Sequence, residues 1–192
     1  VPRRFSGVEA LFDRAGRFVR RLITRQKEAM DRQYVILVVN PGATSTKVSV
    51  YDDLRERVSR TIRHSADELK PYASVADQFG FRRDLVLEAL REEGVEFASL
   101  SAAIGRGGLD KPIESGGYEV NDALRRDLGH ALQGEHASNL GGLIAADIAS
   151  RIPGARAFIA DPVVVDELDD VARVAGHPLF RRVSIFHALN QK

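Results

Sequence analysis

The chain has 192 residues, 44% of them hydrophobic and 29% charged, the balance of one soluble globular domain with at most a small appendage and not of a disordered chain. It contains no Cys, which excludes a disulfide framework, thiolate catalysis and Cys-ligated zinc and suits a cytoplasmic location. The net charge of +1 is unevenly spread: residues 1–33 hold nine Lys/Arg against four acids, and the remainder is mildly acidic, a poor basis for binding nucleic acid.

In residues 1–29, Leu11, Phe12, Phe18, Val19, Leu22 and Ile23 recur at helical spacing with Arg on the other faces, which predicts a basic amphipathic helix. Two readings stay open: a membrane-surface or partner-binding helix, or a dispensable leader, non-native or disordered. Met30 is the only Met, and a buried-strand pattern begins four residues later, so the working protein is expected to start at Met30. A transit peptide is disfavoured by Glu9 and Asp13.

Tyr34–Asn40 is continuously apolar and β-branched, the pattern of a strand buried on both faces. It is far short of the ~20 residues of a membrane span. Pro41-Gly42 marks a turn, Thr46–Asp52 alternates as a second strand, and Glu56–His64 suits a more exposed third. Phe81, Leu85, Val86, Ala89 and Leu90 then follow helical spacing until Gly94. Leu100–Gly105 reads as a strand, and Asn121–Leu128 as a short helix with Asn121 as its N-cap. Leu140, Leu143, Ile144 and Ile148 mark a longer helix before Pro153-Gly154. Ala157–Ala160 is a strand, after which Pro162 biases Asp161 toward extended geometry. Val163–Ala175 is expected to become helical, with Asp166, Glu167, Asp169 and Asp170 as its solvated start. Arg182–Phe186 suggests a last strand, and His187 onward the start of a helix. A meander of strands followed by alternating helices and strands implies an α/β domain with a mixed sheet flanked by helices.

Several segments carry chemistry. Asn40-Pro41-Gly42-Ala43-Thr44-Ser45-Thr46-Lys47 joins two strands and offers hydroxyls, backbone N–H groups and one Lys, which suit a phosphate. It is not a Walker loop, and a plain hairpin turn would look the same. Gly105-Arg106-Gly107-Gly108 follows a strand; Arg106 suits a carboxylate or phosphoryl group, or is a surface Arg in a Gly-rich turn. Asp161 ends a strand, where its carboxylate could meet Mg²⁺ or accept backbone hydrogen bonds. His187 beside Phe186 reads as a packed histidine, and His136 before a helix as a cap. The five histidines show no H-x-x-x-H spacing for zinc.

Taken together, Val38–Lys47, Gly105–Gly108, Gly134-Glu135-His136-Ala137-Ser138-Asn139-Leu140, Asp161–Asp166 and Ser184–Lys192 resemble, in this order, the motifs of the butyrate kinases over about residues 33–192. Those proteins are similar to acetate kinases and to the actin and sugar-kinase superfamily. The resemblance implies a ribonuclease-H-like domain, and residues 30–192 as the first of two domains with the second missing. It implies reversible transfer of the phosphoryl group of ATP to butyrate or a related short-chain carboxylate, giving an acyl phosphate and ADP, with Mg²⁺. Asn40, Thr44, Ser45 and Lys47 fall on the family's phosphate motif, and Asp161, with Asn40, on the Mg²⁺ side, directly or through water. Arg106 and His187 fall on groups beside the carboxylate and the transferring phosphoryl group, and His136 and Asn139 on the substrate side of the cleft. Ala43 stands where the family often has Ser, one hydroxyl fewer. The family's chains are about twice the length of this body, so little or no activity is expected of the polypeptide alone. Exposed apolar surface and either self-association or a second half supplied in trans are expected with it. A phosphate- or partner-binding module of the same fold without turnover is the alternative.

Overall fold

The computed structural model describes residues 33–187; the expectations for the leader and for a helix beyond His187 lie outside them. The folded unit contains one six-stranded mixed sheet. Strands β1 (Val35–Pro41), β2 (Ser45–Asp52) and β3 (Arg55–Arg63) form the expected antiparallel meander. Strands β4 (Leu100–Arg106) and β6 (Arg156–Ala160) then run parallel to β1, and β5 (Gly117–Glu119) closes the edge antiparallel to β6. The order across the sheet is β3-β2-β1-β4-β6-β5.

Among the described residues four α-helices accompany it: α1 (Ala66–Leu69), α2 (Phe79–Glu92), α3 (Asp122–Gly129) and α4 (Asn139–Ser150). Asn121 caps α3 as its sequence position predicts, its side chain accepting from the Leu124 N–H at 2.9 Å. Gly94 ends α2 at φ +66°, the left-handed geometry glycine adopts without steric cost. Leu37, Val39, Val48 and Val50 on one face of the sheet pack against Val86 and Leu90 of α2 and Leu140, Ile144 and Ile148 of α4, all 2% exposed or less. This alternation along β1 and β2 leaves Asn40 and Lys47, cross-strand partners, on the opposite face from Val39 and Val48.

The structure departs from the sequence reading in several places. Strand β5 and helix α1 were not expected; both are short. A capping box holds α1: the Ser65 N–H donates to Glu68 Oε2 at 2.8 Å and the Glu68 N–H to Ser65 Oγ at 3.3 Å. Val163–Ala175 is no α-helix. Val163 and Val164 are buried at the centre of a turn closed by the Val165 N–H on the Pro162 carbonyl at 3.2 Å, Val165 is tied to Ile113 by an isolated bridge, and only Asp170–Arg173 makes a 3₁₀ turn. Three consecutive β-branched residues lower the helix propensity of this segment. The acids of this segment are not a solvated helix start either. The carboxylate of Asp166 is paired with Arg173 at 2.8 Å, and Glu167 accepts from the Ser115 N–H at 2.6 Å. Nor is Arg182–Phe186 a strand; the isolated bridge between Val174 and Arg181 ends just before it. Val171, Val174, Leu179, Phe180, Val183, Ile185 and Phe186 are all exposed along this stretch.

Candidate active site

The three parallel strands end side by side. In their register Val39 of β1 lies beside Gly105 of β4, and Arg106 beside Ala160 of β6. Asn40, Arg106 and Asp161 therefore emerge together at the C-terminal edge of the sheet, the usual place for a site in an α/β domain. Close backbone packing sets Arg106 there. A Cβ on Gly105 would fall inside the backbone of Gly141, and one on Gly108 would strike Asn139. Gly105 and Gly108 thus admit the N-terminal turn of α4, and Gly107 admits Pro162.

Asp161 is the strained member. It adopts φ +48°, although it precedes Pro162 and was expected to be extended. A non-glycine residue in this region is uncommon and carries a conformational cost that surrounding contacts must offset. Those contacts are visible. Nδ1 of His187 donates to the Asp161 carbonyl oxygen at 2.7 Å, because a carbonyl can only accept. The Asp161 carboxylate lies 3.5 Å from the same Nδ1 and 3.6 Å from Nη2 of Arg106. It sits between a guanidinium and an imidazole, all three largely buried.

The ring of His136 lies 6.3 Å from that of His187. Nδ1 of His136 accepts from the Ser138 N–H at 3.2 Å and lies 2.6 Å from Ser138 Oγ. Its Nδ1 lone pair is therefore committed, and the mobile proton sits on Nε2. His187 has the complementary tautomer, with Nδ1 protonated. Burial holds the His187 pKa below the ordinary histidine value, helped by Arg106 and His136 and opposed by the two Asp161 interactions. Neutral His187 keeps an Nε2 lone pair that can take up a proton when an anion arrives.

Asn139 plays a different part from its neighbours. It is 3% exposed, its Oδ1 accepts from the Leu109 N–H at 2.8 Å, and its Nδ2 donates to the Gly134 carbonyl at 2.9 Å. It bolts the loop carrying His136 to the loop after Arg106.

Thr44, Ser45 and Lys47 lie on the β1–β2 hairpin, with Lys47 directly across from Asn40. Thr44 and Lys47 are exposed and Ser45 half-buried, whereas Thr46 is wholly buried. Thr46 Oγ1 lies 2.9 Å from His64 Nε2 and accepts from Arg82 Nη1 at 3.2 Å. Arg82, 1% exposed, lies under the hairpin and donates to the carbonyls of Gly42 at 2.7 Å, Ala43 at 3.0 Å and Ser45 at 3.3 Å. Its remaining donors go to Gln78 Oε1. The His64 N–H takes the Thr44 carbonyl at 2.8 Å and the Gly42 N–H the Ser45 carbonyl at 2.7 Å. Every carbonyl from Gly42 to Ser45 is thus turned to the protein. The N–H groups of exposed Ala43 and Thr44 have no partner among the described residues. An exposed turn with two such N–H groups offers the kind of donors that anion-binding nests use. Sequence reasoning missed Arg82 and His64. The available signal was an Arg standing on the buried stripe of α2, four residues before Val86 and seven before Ala89.

No model of a known protein family matches the chain. It is 54% identical to "Butyrate kinase 1" of Clostridium acetobutylicum over 159 residues, covering 83% of this chain and 44% of that protein. It is 55% identical to "Probable butyrate kinase" of Bacteroides thetaiotaomicron over 157 residues, 82% of this chain and 44% of that one. The chain therefore spans less than half the length of these relatives. Among solved structures, acetate kinase of Porphyromonas gingivalis superposes with a TM-score of 0.55 at 13% identity, covering 82% of this chain and 46% of that one. That likeness shows the fold, the actin-like ribonuclease-H arrangement expected from the motifs. With more than half of the aligned residues identical over 83% and 82% of its length, the chain is a homologue of these butyrate kinases over the part of their length that it spans.

Proposed function

We propose that this chain supplies the phosphate loop and phosphoryl-transfer groups of a cytoplasmic carboxylate kinase that moves the γ-phosphoryl group of ATP to butyrate or a similar short-chain acid. The observation that carries this reading is the convergence of Asn40, Arg106 and Asp161 at adjoining strand ends, with His187 bonded to Asp161. A carboxylate is already a nucleophile at neutral pH, so no general base is required. Its oxygen bonds to the γ-phosphorus while the bond to the bridging oxygen breaks and ADP leaves. Catalysis then rests on alignment and on neutralising the equatorial oxygens. Arg106, and His187 once protonated, would meet that charge, and the nest at Ala43–Thr44 with Lys47 would hold nucleotide phosphates. His136 Nε2–H adds a donor on the substrate side.

The described residues hold no cluster of three or more His, Asp or Glu fit to bind a metal alone. That suits Mg²⁺ brought with a nucleotide, which needs one or two protein oxygens and takes the rest from phosphate and water. Asp161 and Asn40 are the residues that would hold it, and bound Mg²⁺ would withdraw charge from the phosphate oxygens.

The test is trapping of acyl phosphate with hydroxylamine from butyrate, ATP and Mg²⁺. The reading expects little turnover from this polypeptide alone and a rise when the remaining length of a relative's chain is supplied in trans. It expects Arg106→Met to lower that turnover at least about tenfold. Nucleotide binding without turnover under both conditions would favour a binding module; absence of both turnover and nucleotide binding would refute the reading.

A further inference from the structure

We infer that Arg82 is a positioning residue of the Gly42–Thr46 loop, and that its uncompensated charge tunes this loop toward anions; the second half of this statement rests on the phosphate-loop reading above. The guanidinium is buried, and its donors meet only neutral acceptors: three loop carbonyls, Thr46 Oγ1 and Gln78 Oε1. Among the described residues no carboxylate forms an ion pair with it. Burial alone lowers its pKa, with no acid opposing that shift.

Such an arrangement is costly. A buried cation without a counter-ion is normally avoided, and an apolar side chain of similar shape often serves stability as well or better. A counter-ion would have been simple to place. Gln78 lies 3.0 Å from Arg82 Nε and 2.8 Å from Nη2 through one oxygen, a position from which a glutamate carboxylate would form a close ion pair. The neutral amide keeps those hydrogen bonds and leaves the charge unspent. The same contacts orient the loop: with its carbonyls drawn inward to Arg82 and His64, the amides of Ala43 and Thr44 are left outward. Donor direction and positive potential then act on one spot. His64, the other basic group in contact with Thr46, is kept from adding charge, because burial and Arg82 both lower its pKa.

Three variants of the full chain separate position from charge. Binding of inorganic phosphate and of Mg-ATP is measured by titration calorimetry, and exchange of the Gly42 and His64 amides by NMR. Gln78→Glu should retain the fold and the slow exchange, yet bind phosphate at least about tenfold more weakly, the order expected for cancelling one charge within roughly 10 Å at an effective dielectric of roughly 20. Arg82→Met should speed exchange of both amides at least about tenfold and weaken phosphate binding. Arg82→Lys should recover binding more than it recovers slow exchange. Gln78→Glu that binds phosphate like the unmodified chain overturns the charge role. Arg82→Met and Arg82→Lys that both exchange like the unmodified chain overturn the positioning role. If the unmodified chain binds neither probe, the phosphate-loop reading fails and takes the charge role with it, while exchange still decides the positioning role.

Discussion

Replacing Asn139 with Leu should destabilise the protein before it affects any ligand. Two hydrogen bonds would be lost, at 2.8 and 2.9 Å. Each is worth about 1 kcal/mol net, and the Leu109 N–H, on a half-buried residue, is left with less access to water than the carbonyl of exposed Gly134. The side chain is 3% exposed and packed on Gly108, so the shape mismatch adds to the loss. Together these give about 3 kcal/mol, which for a domain of roughly 150 residues lowers the melting temperature by about 6–12 °C. Asn139→Asp discriminates further. It keeps an acceptor for Leu109 but turns an oxygen toward the Gly134 carbonyl, so at neutral pH it should be no more stable than Asn139→Leu. On acidification the protonated acid regains a donor and part of the loss should return. Urea midpoints at pH 7.5 and 5.0, read against the unmodified chain, measure both effects. An Asn139→Leu midpoint within about 0.5 kcal/mol of the unmodified chain would refute the assignment of Asn139 as the bolt between the two loops.

Two further outcomes follow from the same structure. His64 and His187 both have pKa values lowered mainly by burial, so the unfolded chain takes up protons more readily than the native one. Stability should hold above the ordinary histidine value of 6.5 and fall as pH drops below it; His64→Gln should flatten part of that slope, and equal slopes in both proteins would count against it. Gly105→Ala places a Cβ inside the backbone of Gly141 and should abolish cooperative melting or cost several kcal/mol, about 3 or more; a normal melting curve would show that α4 can move away from β4.

The strands and main helices were legible because each buries an apolar stripe that leaves its period in the sequence. Leu37 and Val39, or Ile144 and Ile148, announce which face goes inward wherever the partner lies. Asn121 could be read as a cap for the same local reason: its bond spans three residues. Val163–Val165 misled because a turn from Pro162 and a bridge from Val165 to Ile113, some fifty residues away, take the place of a helix.

What the amino-acid order determined by itself was therefore the set of elements, the meander and the motifs that mark the family. Only the tertiary structure decided that Arg82, from a helix, underlies a hairpin formed some forty residues earlier, that Asp161 takes a left-handed backbone before a proline, and that Asn139 is spent on backbone groups. The physical reason is range. Hydrophobic period and capping act within a few residues, whereas a buried charge, a strained φ and a backbone-on-backbone contact are tolerated only because groups distant in sequence meet them in space.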